Sequence, residues 1–215
     1  MCKNSTQLKQ ANFGRGSIHR KNLPHSQSGF TLIELLVVIA IMAILASLAV
    51  PSFTGLIAST TVSSRVNDFI SDTRYARGEA MRRGKNITVC RSSNSSNASP
   101  TCSTGDGTSV GGWKEGWVVF VDENHNQLFN TGDLVLRVHE PLAGISSFYA
   151  VGKSTSSAVT SGQYMTYDAT GHAIGTEQRW LVWPAGSYSS DSTYARTLCM
   201  NSVGRVRVLT GAVTC

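Results

Sequence analysis

The chain has 215 residues, a formal net charge of +6 and five cysteines, enough for one compact domain with an appendage. Five of its 19 basic residues, Lys3, Lys9, Arg15, Arg20 and Lys21, fall within residues 1–29, which hold no acid. The other 14 nearly balance the 13 acidic residues. Overall charge is thereby excluded as an argument for an anionic partner, which must rest on a local patch.

In chain order, a basic segment (residues 1–29) precedes an apolar run. From Phe30 to Val50 only Thr31, Glu34 and Ser47 are polar. These 21 residues span about 31 Å as a helix, roughly one bilayer core. The positive flank predicts a cytoplasmic N-terminal end and an exported C-terminal bulk. An ordinary signal peptide places its small-residue cleavage site after the apolar stretch. Here Gly29 comes before it, so a cut there leaves the helix as an anchor. A carboxylate in lipid costs a few kcal/mol, and Glu34 therefore calls for a partner cation. A free α-amino group on Phe30 of a neighbouring subunit would serve, against the plainer reading of an acid that reaches the membrane surface.

After Pro51 the helical spacing continues. Phe53, Leu56, Ile57, Val62, Val66, Phe69, Ile70, Ala76, Ala80 and Met81 recur three and four residues apart. Arg65, Asp68, Asp72, Arg74, Arg77 and Glu79 fill the other face, and Gly84 is the C-cap. One long helix over residues 31–83 is predicted, with residues 30–50 for lipid or a filament core and 51–84 amphipathic. Residues 85–215 are β-rich. ITVC, WVVFVD, LVLRVHE, SFYAV, QYMTY, RWLVWP, YARTLCM and GRVRVLTG alternate or run apolar. Ser/Thr/Gly-rich loops at 92–112, 152–162 and 186–193 connect them. The fold class is α+β: a long N-terminal transmembrane helix packed against a C-terminal antiparallel β-sheet domain.

Cys90, Cys102, Cys199 and Cys215 form an even set with no CxxC and no histidine at zinc spacing. Outside the cytosol, two disulfides suit them better than a metal. Three pairings are open. Cys90–Cys102 with Cys199–Cys215 closes the shortest loops and is favoured.

Near the C-terminus, GRVRV at 204–208 sets Arg205 and Arg207 two apart, on one face of a strand. Two adjacent guanidinium forks suit consecutive phosphates. Gly204 permits close backbone approach or a positive φ. Arg196 belongs to the same acid-free stretch, and Lys153 and Arg179 are further candidates for the patch. By spacing alone, a solvated strand face explains the pair better than a ligand site does.

Other motifs are weaker. DENHNQLFNTGD puts Asp122, Asn124, Asn126, Asn130 and Asp133 at calcium-loop positions. Gln127, however, stands where glycine is wanted, Asp133 replaces the bidentate Glu, and strands flank the loop. A hairpin loop held by Asn and Asp side chains is preferred. VGKST at 151–155 lacks the first P-loop glycine, since Ser147 is there. His125, His139 and His172 are scattered and read as surface or loop residues. Trp113, Trp117, Trp180 and Trp183 read as packing residues. No catalytic constellation, cofactor site or metal centre is read from the sequence, and an enzyme is not expected.

The stretch GFTLIELLVVIAIMAILASLAVPSF resembles the N-terminus of type IV pilins and type II secretion pseudopilins. NITVC, GWKEGWVVFVDENHN, DLVLR and TLCMNSVGRVRV with the final cysteine are similar to the GspH/FimT subgroup. The resemblance implies a basic leader over residues 1–29, removed by a prepilin peptidase between Gly29 and Phe30. It implies N-methylation of Phe30 and a role for Glu34 in assembly with other pilins or pseudopilins. Pro51 matches the family's helix-breaking proline, where the helix kinks or melts locally. The protein is then expected in the bacterial inner membrane, single-pass with a periplasmic C-terminal domain, and extracellular when assembled in a pilus. A C-terminal GRxR motif is associated with DNA binding in FimT-type minor pilins. Carried over, it makes Gly204, Arg205 and Arg207, with Arg196, a site for the phosphate backbone without sequence specificity, serving DNA uptake in natural transformation.

Overall fold

A computed structural model describes residues 29–104, 112–151, 160–175 and 178–215. The leader, Lys153 and all of VGKST beyond Val151 lie outside the described residues. Among the described residues one α-helix, α1 (Leu32–Arg83), is followed by nine strands.

The chain divides into two units at Ile44 and Leu45. In the first, the apolar side chains of α1 from Leu32 to Ile44 are exposed, and the helix as a whole is long and apolar enough to cross a membrane. Its start gives the unusual acid a local role. The Thr31 hydroxyl accepts a hydrogen bond from the Glu34 backbone N–H at 3.2 Å. Glu34 Oε2 accepts from the Thr31 N–H and hydroxyl at 3.2 and 3.1 Å. This is a reciprocal capping box. The T-x-x-E spacing before an apolar run carried that signal in the sequence. Glu34 thus has a local partner and does not depend on a neighbour's amino group for its hydrogen bonds.

In the second unit, the remainder of α1 is helical through Pro51; the local melting that the resemblance suggested is not seen. The helix ends as predicted, with Gly84 at φ +64° and its N–H on Ala80 O. The buried stripe is Val62, Val66, Phe69, Ile70, Ala76 and Ala80. Phe53, Leu56 and Ile57, expected on the packed face, are exposed instead. At that level the helix meets the domain through Gly55, whose missing Cβ makes room for the Tyr194 hydroxyl. Thr54 and Tyr188 are hydrogen-bonded there too, which turns the large apolar side chains outward.

All eight predicted strands are present: β1 (Ile87–Arg91), β2 (Trp117–Val121), β3 (Leu134–His139), β4 (Ile145–Val151), β5 (Tyr164–Tyr167), β7 (Arg179–Pro184), β8 (Arg196–Met200) and β9 (Val206–Thr210). β6 (Ala173–Ile174) was not foreseen, since two residues carry no periodicity. The strands form two antiparallel sheets, β3-β2-β1-β5-β6 and β4-β7-β8-β9. Disulfides join Cys90 to Cys102 and Cys199 to Cys215.

Phe69 of α1 reaches both sheets. Its ring stands edge-to-face with Trp117 on β2, with Phe148 on β4 and Trp180 on β7, and with Trp113 before β2, at centroid distances of 5.3, 4.9, 5.5 and 5.2 Å. One turn on, buried Asp72 accepts hydrogen bonds from Trp117 Nε1 at 2.8 Å and from Arg137 at 2.6 Å. Arg137 also lies over the Tyr75 ring. Trp113, Trp117 and Trp180 are buried as expected and Trp183 is half-buried. His139, read from sequence as a surface or loop residue, is half-buried at the end of edge strand β3 and stacks on Trp117 with ring centroids 4.0 Å apart.

Replacing Phe69 by Ala should therefore destabilise the protein by about 3–5 kcal/mol, read as a lower urea midpoint by near-ultraviolet circular dichroism. Leu56→Ala, on the exposed face, should leave the midpoint nearly unchanged.

Candidate anion-binding edge

β8 and β9 form a hairpin with Cys199 opposite Arg207 and Met200 opposite Val206. Its turn closes through Gly204 N–H to Asn201 O at 2.8 Å and Arg205 N–H to Asn201 Oδ1 at 2.9 Å. Gly204 has φ +78°, and a Cβ there would lie 2.6 Å from Tyr167 Cε1. Only glycine satisfies both the left-handed backbone and that close approach. The buried Tyr167 hydroxyl donates to Gly204 O at 3.3 Å. Burial pushes the Tyr167 phenol up to about 12.

This turn delivers Arg205, just before β9, and Arg207, on that edge strand, to the surface, and both side chains are exposed. Arg207 donates to Cys215 O at 3.2 Å, a carbonyl held nearby by the Cys199–Cys215 disulfide. Beside them a groove of about 360 Å³ runs between α1 and β9. It is lined by Ile70, Thr73, Arg74 and Arg77 from the helix and by residues 204–207 from the hairpin. Four arginines and no acid line it. Among the described residues none of the four is in an ion pair, whereas Arg65, Arg82, Arg83 and Arg137 all are. Arg74 and Arg77 were legible in the sequence only as part of a polar helix face.

The structure does not bring Arg196 or Arg179 here. Arg196 is half-buried at the far end of β8, opposite Thr210, and donates to Ala195 O and to the Ser59 hydroxyl of α1. Ser59 and Arg74 are about 22 Å apart along the helix axis. Arg179 is only 2 % exposed and bonds Val213 O. It is an internal tie and not a surface contact.

The acidic loop after β2 is committed to holding its own turn. Asp122 is fully buried and accepts from the Asn126 and Gln127 N–H groups and from the Thr88 hydroxyl. Asp133 accepts from the Glu123 and Asn130 N–H groups. Gly29 and Phe30 are exposed ahead of the capping box.

An apolar helix that opens at such a motif and leads into a small antiparallel domain defines the pilin and pseudopilin class. A model of the prokaryotic N-terminal methylation motif matches residues 24–50, and one for type II transport protein GspH matches residues 65–204. The chain belongs to the GspH family. The family match stops at Gly204, just short of Arg205 and Arg207.

A fimbrial protein of Pseudomonas aeruginosa is 42% identical over 62 residues, 29% of this chain and 40% of that protein. The type IV major fimbrial protein FimA of Dichelobacter nodosus is 54% identical over 41 residues, 19% of this chain and 26% of that one. The chain thus spans less than half the length of these relatives. Among solved structures, the type IV minor pilin FimU of Pseudomonas aeruginosa is similar at a TM-score of 0.44 and 17% identity, covering 68% of this chain and 91% of that one. The minor pseudopilin EpsH of the Vibrio cholerae type 2 secretion system gives 0.42 and 11%, covering 69% and 96%.

Two measurements test the turn. Gly204→Ala should cost about 1–3 kcal/mol through backbone strain and overpacking, read as a lower urea midpoint. Tyr167 binds its proton more tightly when folded, so its contribution to stability is present below pH 10 and is lost as pH rises towards about 12. Wild type should lose stability across that interval more steeply than Tyr167→Phe.

Proposed function

We propose that this protein is a minor pilin of FimT type that binds extracellular DNA through Arg205 and Arg207. The observation that carries the reading is the display of two exposed guanidiniums, Arg207 on edge strand β9 and Arg205 just before it, neither in an ion pair among the described residues, by a turn that only glycine can make. Forks engaged with phosphate oxygens carry no base information, so binding through them is non-specific and falls steeply with salt. The role is capture for uptake in natural transformation. Cleavage between Gly29 and Phe30 by a prepilin peptidase, methylation of Phe30, and insertion in the inner membrane with a periplasmic domain precede assembly with other pilins. In that assembly the Glu34 carboxylate faces a neighbouring subunit's amino group.

The match to a family named for type II transport favours a second reading, a pseudopilin whose domain binds partner pseudopilins or secreted substrate. A third leaves the protein to prime pilus assembly alone. In both of these Arg205 and Arg207 are dispensable for nucleic acid.

The experiment is DNA binding by the full chain in non-ionic detergent, across a salt series, for wild type and Arg205→Ala/Arg207→Ala. A charge-assisted hydrogen bond contributes about 1.5–3 kcal/mol, so the double variant should bind about tenfold more weakly or worse. Equal binding, or none by wild type at low salt, sinks the DNA reading in favour of the pseudopilin. Glu34 has its own test, because glutamine also completes a capping box. Glu34→Gln should keep the helix start yet fail to enter filaments, as Glu34→Ala fails. Normal incorporation of Glu34→Gln would reduce Glu34 to a cap.

A further inference from the structure

We propose that Arg74 and Arg77 of α1 form a second wall of the same site, so that phosphodiester groups seat in the groove between helix and hairpin. The inference rests on the DNA reading above but adds residues that neither the GRxR resemblance nor the strand spacing contains.

Three observations support it. First, Ile70, Thr73, Arg74 and Arg77 line one groove with residues 204–207. Arg74 and Arg77 stand three apart, so they are neighbours on one helix face. A groove with arginines on both walls and no acid holds like charges together, an arrangement that an anion between them stabilises. Second, the charge is not neutralised locally. Neither helix arginine has an ion pair among the described residues, although Glu79 lies close in sequence; that carboxylate is taken by Arg82 and Arg83 at 2.7 and 2.6 Å. Third, Arg77 is built in. Its Nε is buried and has no hydrogen-bond partner. A Cβ on Gly171 would lie 3.2 Å from that nitrogen and 2.9 Å from Met81 Sδ. The turn carrying Gly171 therefore leaves room for the arginine stem. Gly171 O would in turn lie 3.3 Å from a Cβ on Gly204. The two glycines join the helix wall to the hairpin wall through one packed contact.

An acidic protein segment would meet the same charges. Phosphodiester is favoured because the four cations sit as two pairs on facing walls, and a polynucleotide strand presents regularly repeating charge to both.

The test uses the full chain in non-ionic detergent with single-stranded and duplex oligonucleotides of equal phosphate number. Arg74→Gln/Arg77→Gln is compared with wild type, with Arg74→Lys/Arg77→Lys and with Lys85→Gln, an exposed cation outside the groove lining and already paired to Glu123. Each lost phosphate contact lowers the slope of log K against log salt by about 0.7 on a single strand and about 0.9 on a duplex. The glutamine pair should lose about twice that, and the lysine pair should largely keep it. A deficit on single strands alone identifies a strand lying within the groove; a deficit on both identifies one strand of a duplex along its rim. If the glutamine pair matches Lys85→Gln while Arg205→Ala/Arg207→Ala still loses binding, the helix wall is wrong and the hairpin reading stands. If wild type binds no oligonucleotide, the DNA reading itself fails, and this inference with it. If polyglutamate binds as tightly and the same variants weaken it, the groove is a protein-docking site and the proposal is overturned.

Discussion

The structure depends on one wedge. Phe69 leaves the helix and enters a box of four aromatic rings drawn from both sheets and from the turn before β2. Without it no aromatic ring of the helix would enter that box, and the rest of the buried stripe, Val62, Val66, Ile70, Ala76 and Ala80, is aliphatic. Edge-to-face geometry matters because it fixes orientation as well as burial. Asp72, one turn away, then locks the same register with directional bonds to Trp117 and Arg137. A hydrophobic contact sets the depth of the helix, and a buried carboxylate sets its rotation.

That rotation decides what the far side of the helix presents. With Phe69, Asp72 and Ala76 turned inward, Arg74 and Arg77 come to the margin of the packed face, beside the hairpin. The hairpin reaches them because Gly204 lets the backbone pass against Tyr167. The arginine edge is thus a product of core packing from two directions.

Much of this was legible in the sequence for plain reasons. The eight strands of four or more residues carry apolar alternation or β-branched runs, and the structure has all eight. The helix boundaries followed from a glycine cap and an apolar run. What was not legible was tertiary. Helical spacing said that Phe53, Leu56 and Ile57 share a pattern with Phe69, yet it could not say where the domain stops covering the helix. Arg196, Arg205 and Arg207 look alike in a chain without nearby acids, but strand register separates the first from the others and turns it toward Ser59. Arg74 and Arg77 lie about 130 residues before the hairpin in sequence, and no local pattern links them to it. Thr31 and Glu34 are a different case, since their capping spacing was present in the sequence and was overshadowed by the question of charge in lipid.

β9 closes one side of its sheet, so among the described residues its outer row of backbone groups has no strand beside it. Val206 and Val208 alternate with arginine along that margin, and an apolar β-branched margin of this kind invites another chain to add a strand. The guanidiniums of Arg205 and Arg207 oppose that, because a second copy approaching edge to edge would bring like charges together. The charge of this margin therefore acts against pairing of the edge with itself.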